Sequence, residues 1–240
     1  VAGVGDTFLP FREIMELLTG NFTARRAGGL LSVEQARRLW AWLPYVTEAI
    51  LEHGPQLLDL LVPGKQLLAR AAAAAPAGVN WLAALREEVT RRHQTPGALA
   101  QAAVFGQVTS VLHHLAQKRP LLITLDDLQW IDAASLGLLF HLGRRLAGSP
   151  IFIVGAYRPD ELAQGRDGQP HPLVQLLDEF KRQFGDVFID LAAADEAEGL
   201  AFVNAFLDSE PNQLDAAFRQ ALFQRTGGHP LFVVELLREL

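Results

Sequence analysis

Cysteine is absent from the 240 residues and lysine is nearly so, occurring only as Lys65, Lys118 and Lys181. Without cysteine there is no disulfide framework, no thiol nucleophile and no thiolate-held zinc. A cytoplasmic location is the expectation, since small secreted scaffolds lean on disulfides. The balance of 21 basic against 27 acidic residues, −6 in all, gives no broad cationic footprint for a phosphate backbone, so direct nucleic-acid contact through this segment is not expected. No apolar run approaches the roughly 18–20 residues that cross a bilayer, and no membrane partner is expected. The chain opens on Val1 without a basic-then-apolar leader, and residues 232–240 read as an amphipathic helix stopped in mid-pattern. Both ends read as cut.

Half of the residues are apolar and 20% are charged, enough for one large domain or two unequal ones. After a glycine-punctuated opening, Val1–Asp6, Pro10 suits the first turn of a helix with Phe11, Ile14, Leu17 and Leu18 on one face. Ser32 and Gln35 form a capping box ahead of a stripe of Leu39, Trp40, Leu43 and Val46 that Pro44 is expected to break. Gly54-Pro55 and Pro63-Gly64 bracket a short leucine-rich helix, the Ala71–Ala75 run reads as helix, and further helices follow over about 79–93 and 97–118. The stretch 32–75 reads as a helical insertion.

The middle of the chain changes character. Leu121–Leu125, bounded by Pro120 and Asp126, reads as a strand buried on both faces, followed by a helix over about 133–147 and a second buried run at 151–157. A helix over about 171–184 leads to a third run, 187–191. Strand and helix alternating in this way predict a parallel sheet covered by helices, with an all-helical region beyond a boundary near residue 192.

Ligands of open parallel sheets bind beyond the carboxyl ends of the strands. Asp126 and Asp127 follow the first run; Arg158, Pro159 and Asp160 follow the second. Two acids at a strand tip suit a Mg-nucleotide site, one for the metal and one to orient or deprotonate the attacking water, with an arginine on the neighbouring tip to sense a phosphate. Two acids that merely solvate a loop after a buried strand remain an equal reading on spacing alone.

The wording of these segments carries a resemblance. Residues 121–132, Leu-Leu-Ile-Thr-Leu-Asp-Asp-Leu-Gln-Trp-Ile-Asp, resemble the Walker B segment of STAND-type, AAA-like P-loop ATPases, as in MalT-like and LuxR-type regulators and cyclase- or repeat-linked signalling proteins. Residues 151–162 are similar to that family's next strand with its sensor arginine, and Thr226-Gly-Gly-His-Pro230-Leu-Phe is similar to the GxP motif opening its helical lid. Thr7-Phe-Leu-Pro-Phe-Arg-Glu13 resembles a stretch after the family's second strand. The resemblance implies an α/β fold: an incomplete P-loop NTPase three-layer sandwich, a parallel sheet with helices on both faces, over residues 1–192, followed by an all-helical lid at 193–240. It implies Asp126 for Mg²⁺, Asp127 for the hydrolytic water, Arg158 as sensor and Pro230 at the base of ATP, with Gly228 and Pro230 as the cofactor-binding residues of the GxP-like motif. Trp130 and Asp132 match the pattern too, with Asp132 read as a helix N-cap. For Gly227, Gly228 and Pro230 a helix stop followed by a helix start is the competing reading.

One part is missing. A P-loop requires G-x-x-x-x-G-K-[ST], whose amides and lysine cradle the phosphates. Lys65 follows Gly64, but Gln66 replaces the hydroxyl residue and Asp59 the first glycine, while Lys118 and Lys181 lack a preceding glycine. The family's P-loop lies upstream of the Phe-Leu-Pro-Phe stretch, so truncation is the simpler account. The family's first strand would lie between 151–157 and 187–191, and without it a poorly stable segment or a rearranged sheet is expected. Weaker constellations add little. Ser135 misses a nucleophile elbow, His113 and His114 are read as surface residues, and Arg91-Arg92-His93 and Arg144-Arg145 as solvated helix faces.

The leading expectation is the central and lid portion of an ATP-binding, ATP-hydrolysing switch, using Mg²⁺ and ATP in the intact protein. Its partners would be ATP, other domains of the same chain and regulatory proteins, with oligomerisation left open. The alternative is a non-catalytic interaction scaffold of the same fold. A P-loop sequence within roughly 50 residues upstream of Val1 would favour the ATPase.

Overall fold

The computed structural model describes residues 7–75, 79–94, 100–163, 171–191 and 196–238. The Val1–Asp6 opening lies outside them. Helix α1 (Leu9–Leu18) carries Pro10 in its first turn and buries Phe11 and Met15. After a short helix α2 (Thr23–Ala27), α3 (Val33–His53) starts at the expected capping box: Gln35 N donates to Ser32 Oγ (3.2 Å) and Ser32 N to Gln35 Oε1 (2.8 Å).

Pro44 does not break α3, which runs on to His53. An interior proline costs a helix roughly 3 kcal/mol. Leu43, Val46 and Ile50 on either side are fully buried, and burial at about 1.5–3 kcal/mol per side chain outweighs that penalty. The leucine-rich helix expected between Gly54 and Gly64 is instead a 3-10 turn, Pro55–Leu57, and a tight loop in which Asp59 N donates to Val62 O at 2.7 Å. Helices α4 (Gly64–Ala74), α5 (Asn80–Gln94) and α6 (Gln101–Lys118) complete the helical part, with α5 and α6 packed on α3.

His113 and His114 are half-buried rather than superficial. They diverge on α6 as adjacent residues must, but His114 Nδ1 lies 2.9 Å from His53 Nε2 and ties α6 to α3. Arg91 and Arg92 both pair with Glu88 on their own helix, at 2.5 and 3.0 Å.

Strands β1 (Leu121–Leu125) and β2 (Ile151–Gly155) pair in parallel, Leu121 opposite Ile151 and Leu125 opposite Gly155. Helix α7 (Ala133–Gly143) connects them, and α8 (Pro159–Ala163) and α9 (Pro172–Phe184) follow. Ile123, Leu125 and Ile151 are buried in a core shared with α1 and α3–α9. On the other face Leu122 and Phe152 are 66% and 68% exposed. Both strands were expected to be buried on both sides; among the described residues only one face of the sheet is covered.

The third run does not form a strand. Val187–Asp190 has no regular structure, and Ile189 is 86% exposed. Its apolar alternation suits a strand, yet a strand is stable only where a neighbour takes its backbone groups, and neither β1 nor β2 pairs with it.

The chain divides into two compact units between Gly185 and Asp186. The second contains α10 (Glu196–Leu207), α11 (Ala216–Thr226) and α12 (Pro230–Arg238) around Val203, Leu207, Leu222 and Val233. Asp215 caps α11 by accepting from Phe218 N at 2.8 Å, and Arg219 pairs with Asp208 at 2.6 Å. No described helix is long and apolar enough to cross a membrane.

Candidate functional site

Backbone pairing continues past the ends of β1 and β2. Ala156 N donates to Leu125 O and Leu128 N to Ala156 O, both at 2.9 Å. The chain that leaves β1 is thereby fastened to the tip of β2, and Asp126 and Asp127 sit in the turn between the two bonds. Asp127 adopts the left-handed conformation (φ 53°, ψ 42°) and leads into a 3-10 turn, Leu128–Trp130. That conformation costs most L-residues roughly 1–2 kcal/mol, and aspartate is among the few that visit it readily. Gly155 allows the turn to close: a β-carbon there would stand 2.6 Å from Leu128 Cδ1.

Asp126 is exposed, and its Oδ1 accepts from Asp127 N at 2.9 Å. Asp127 is half-buried and its Oδ1 accepts from Gln129 Nε2 at 2.8 Å. Gln129, only 6% exposed, uses its other amide atom as well: Oε1 accepts from Arg158 N at 3.2 Å. Nothing in the sequence pattern singles out Gln129. Its i+2 spacing from Asp127 is a faint signal, because a polar residue in a loop ordinarily reads as solvated.

The Arg158 guanidinium is exposed. It meets Glu161 Oε1 at 3.3 Å and lies 5.9 Å from the Trp130 ring centre, while Trp130 Nε1 donates to Glu161 Oε2 at 3.0 Å. An exposed ion pair contributes about 0–1 kcal/mol and an exposed cation–π contact about 0.5–1 kcal/mol. Arg158 is thus held lightly and can be drawn away by a stronger anion.

Asp132 is a helix cap. Its Oδ1 accepts from Ala134 N (3.1 Å) and Ser135 N (2.9 Å) at the start of α7, and Ser135 Oγ donates to Oδ2. Phe8 N also donates to it at 3.4 Å, joining the start of α1 to the same point. Ser135 is fully buried in this cap and offers no nucleophile.

The Gly64-Lys65 pair does not make a phosphate cradle. Gly64 N, at the start of α4, donates to Asp59 Oδ1 at 2.9 Å, so a carboxylate already occupies the place an anion would take. In the second unit, Gly227 ends α11 with φ 61°, and Gly228 (φ 73°) lies so close to Gly199 that an added β-carbon would be 2.7 Å from its Cα. Pro230 opens α12. The left-handed backbone at Gly227 and Gly228, the close approach of Gly228 to Gly199 and the place of Pro230 in the first turn of α12 give each of these residues a local structural reason.

The carboxylates suit Mg²⁺, which binds through one or two carboxylates and completes its shell with water and substrate phosphate oxygens. No group of three or more histidine, aspartate or glutamate side chains placed to hold a metal ion occurs among the described residues.

Acids and an arginine brought to one end of a parallel sheet are the layout of an α/β ligand-binding protein. Comparison with protein families matches residues 8–154, from the start of α1 through β2, to the AAA ATPase domain. The match spans more than half of the chain, and the chain belongs to this family of nucleotide-binding, ATPase-type domains. Asp126 and Asp127 fall within the match; Arg158, Gly228 and Pro230 lie beyond it. No curated protein and no solved structure gives a match.

Proposed function

We propose that this chain is part of an ATP-binding and ATP-hydrolysing regulatory switch in a multidomain signalling or transcription-regulatory protein of the STAND type. The observation that carries the reading is the joined strand tips: the parallel register of β1 and β2 presents Asp126, Asp127 and the backbone of Arg158 at one end of the sheet. Asp126, exposed at the tip, would hold Mg²⁺; the metal supplies charge neutralisation at the transferred phosphate. Asp127 orients or deprotonates the attacking water. Arg158, lightly held by Trp130 and Glu161, turns to the terminal phosphate when one is present. The reading calls for a phosphate-cradling P-loop, a pattern these 240 residues do not contain, and for a three-layer sandwich with helices over the face that bears Leu122 and Phe152. With the cradle in place, ATP holds one state of the switch and hydrolysis or exchange releases it.

The test is metal dependence in the intact protein. Asp126→Ala should raise the Mg²⁺ concentration for half-maximal hydrolysis by roughly tenfold or more, the loss expected of one charged ligand. An unchanged Mg²⁺ requirement would remove Asp126 from the metal site.

A non-catalytic scaffold is the second reading, favoured by the exposed Leu122 and Phe152, an apolar surface of the kind that protein contacts cover. It predicts no Mg-dependent turnover in the intact protein.

A further inference from the structure

We propose that Gln129 is a positioning residue that couples Asp127 to Arg158, so that the acid on the tip of β1 and the arginine on the tip of β2 shift together. Its catalytic consequence rests on the proposed ATPase function, but the coupling itself is a property of the nucleotide-free chain.

The argument starts from donors and acceptors. Arg158 N needs an acceptor, which fixes the amide oxygen of Gln129 towards it at 3.2 Å. The amide nitrogen must then face Asp127, where it donates to Oδ1 at 2.8 Å. Only a neutral side chain with a donor and an acceptor can make both bonds at once. Glutamate has no donor for a carboxylate when ionised, and leucine offers neither group. Because Gln129 is only 6% exposed, water does not readily replace either partner, and giving up one bond leaves a buried polar group unpaired.

The rest of the tip is built to transmit such a movement. Asp127 is confined by its left-handed backbone and by the following 3-10 turn, and Leu128 is fixed against Gly155 and Ala156. The guanidinium of Arg158, by contrast, is held among the described residues by exposed contacts to Glu161 and Trp130. A phosphate that draws the guanidinium away also pulls on the backbone at residue 158. Gln129 carries that displacement to the carboxylate of Asp127, which links phosphate sensing to the placement of the attacking water.

The test compares Gln129→Leu with Gln129→Glu in the intact protein. Without nucleotide, hydrogen exchange of the Arg158 amide should quicken about tenfold in Gln129→Leu, as the loss of one hydrogen bond implies. It should stay within about twofold of wild type in Gln129→Glu, whose carboxylate still accepts from Arg158 N. Exchange at buried Leu112 and Leu142 serves as the folding control and should be unchanged in both. With Mg-ATP, both variants should lose roughly 10- to 100-fold in kcat, the usual cost of removing a group that orients a site carboxylate, while KM changes less than threefold. Unaltered Arg158 exchange in Gln129→Leu, or wild-type kcat in both variants, would overturn the coupling. Absence of hydrolysis by the wild-type protein would instead overturn the proposed function, and the exchange comparison would still decide the coupling.

Discussion

Leu128 occupies the space that a side chain on Gly155 would need: a β-carbon on Gly155 would stand 2.6 Å from Leu128 Cδ1. The two residues lie at the ends of the strand-tip turn, and Leu128 is itself buried. Gly155→Ala should therefore destabilise the protein by about 1–3 kcal/mol, the range for overpacking a filled core. Chemical denaturation measures it. A change below about 0.5 kcal/mol, the scatter of neutral surface substitutions, would show that the turn relaxes freely.

Asp132 gives a second prediction, because a cap and a catalyst respond differently to the same substitutions. Asp132→Ala should cost about 0.5–2 kcal/mol by freeing Ala134 N and Ser135 N, and Asp132→Asn much less. Turnover by Asp132→Asn in the intact protein should stay within a few-fold of wild type. A large loss of turnover at unchanged stability would make Asp132 part of the reaction.

The third prediction concerns pH. Burial, and then the nearby charge of Arg145, push the His141 imidazole below its usual range. A depressed imidazole binds its proton more weakly in the folded chain than in the unfolded one. Its contribution to stability is thus present above the ordinary histidine range, near pH 6.5, and is lost as pH falls. Melting temperature should drop between pH 8 and pH 5 in the wild type and drop less in His141→Gln. Parallel declines in both proteins would contradict the assignment.

Which parts of this architecture could be read from the sequence follows from how local their causes are. β1 was legible because Pro120 and Asp126 bound a continuous apolar run, and the caps Ser32 and Asp132 because a cap acts within three residues of itself. The positions of Asp126 and Asp127 just after β1, and of Arg158 beyond the end of β2, were legible for the same reason, since they follow the apolar runs. What escaped depends on distant partners. The run 187–191 has a strand's alternation but no partner strand among the described residues, and Pro44 survives inside α3 because the burial around it comes from other helices. His53 meets His114 across 61 positions of chain. Gln129 became visible only when the tips of β1 and β2 were brought side by side.

The central claim is that Asp127 acts on the water that attacks ATP. The direct measurement is single-turnover hydrolysis and equilibrium ATP binding by the intact protein and its Asp127→Asn variant, in Mg²⁺. Asparagine tolerates the same left-handed backbone and can still bond with Gln129, so binding should remain within about threefold while hydrolysis slows by roughly 10²- to 10⁴-fold, the contribution of a positioned general base. Hydrolysis at the wild-type rate in Asp127→Asn would contradict the account.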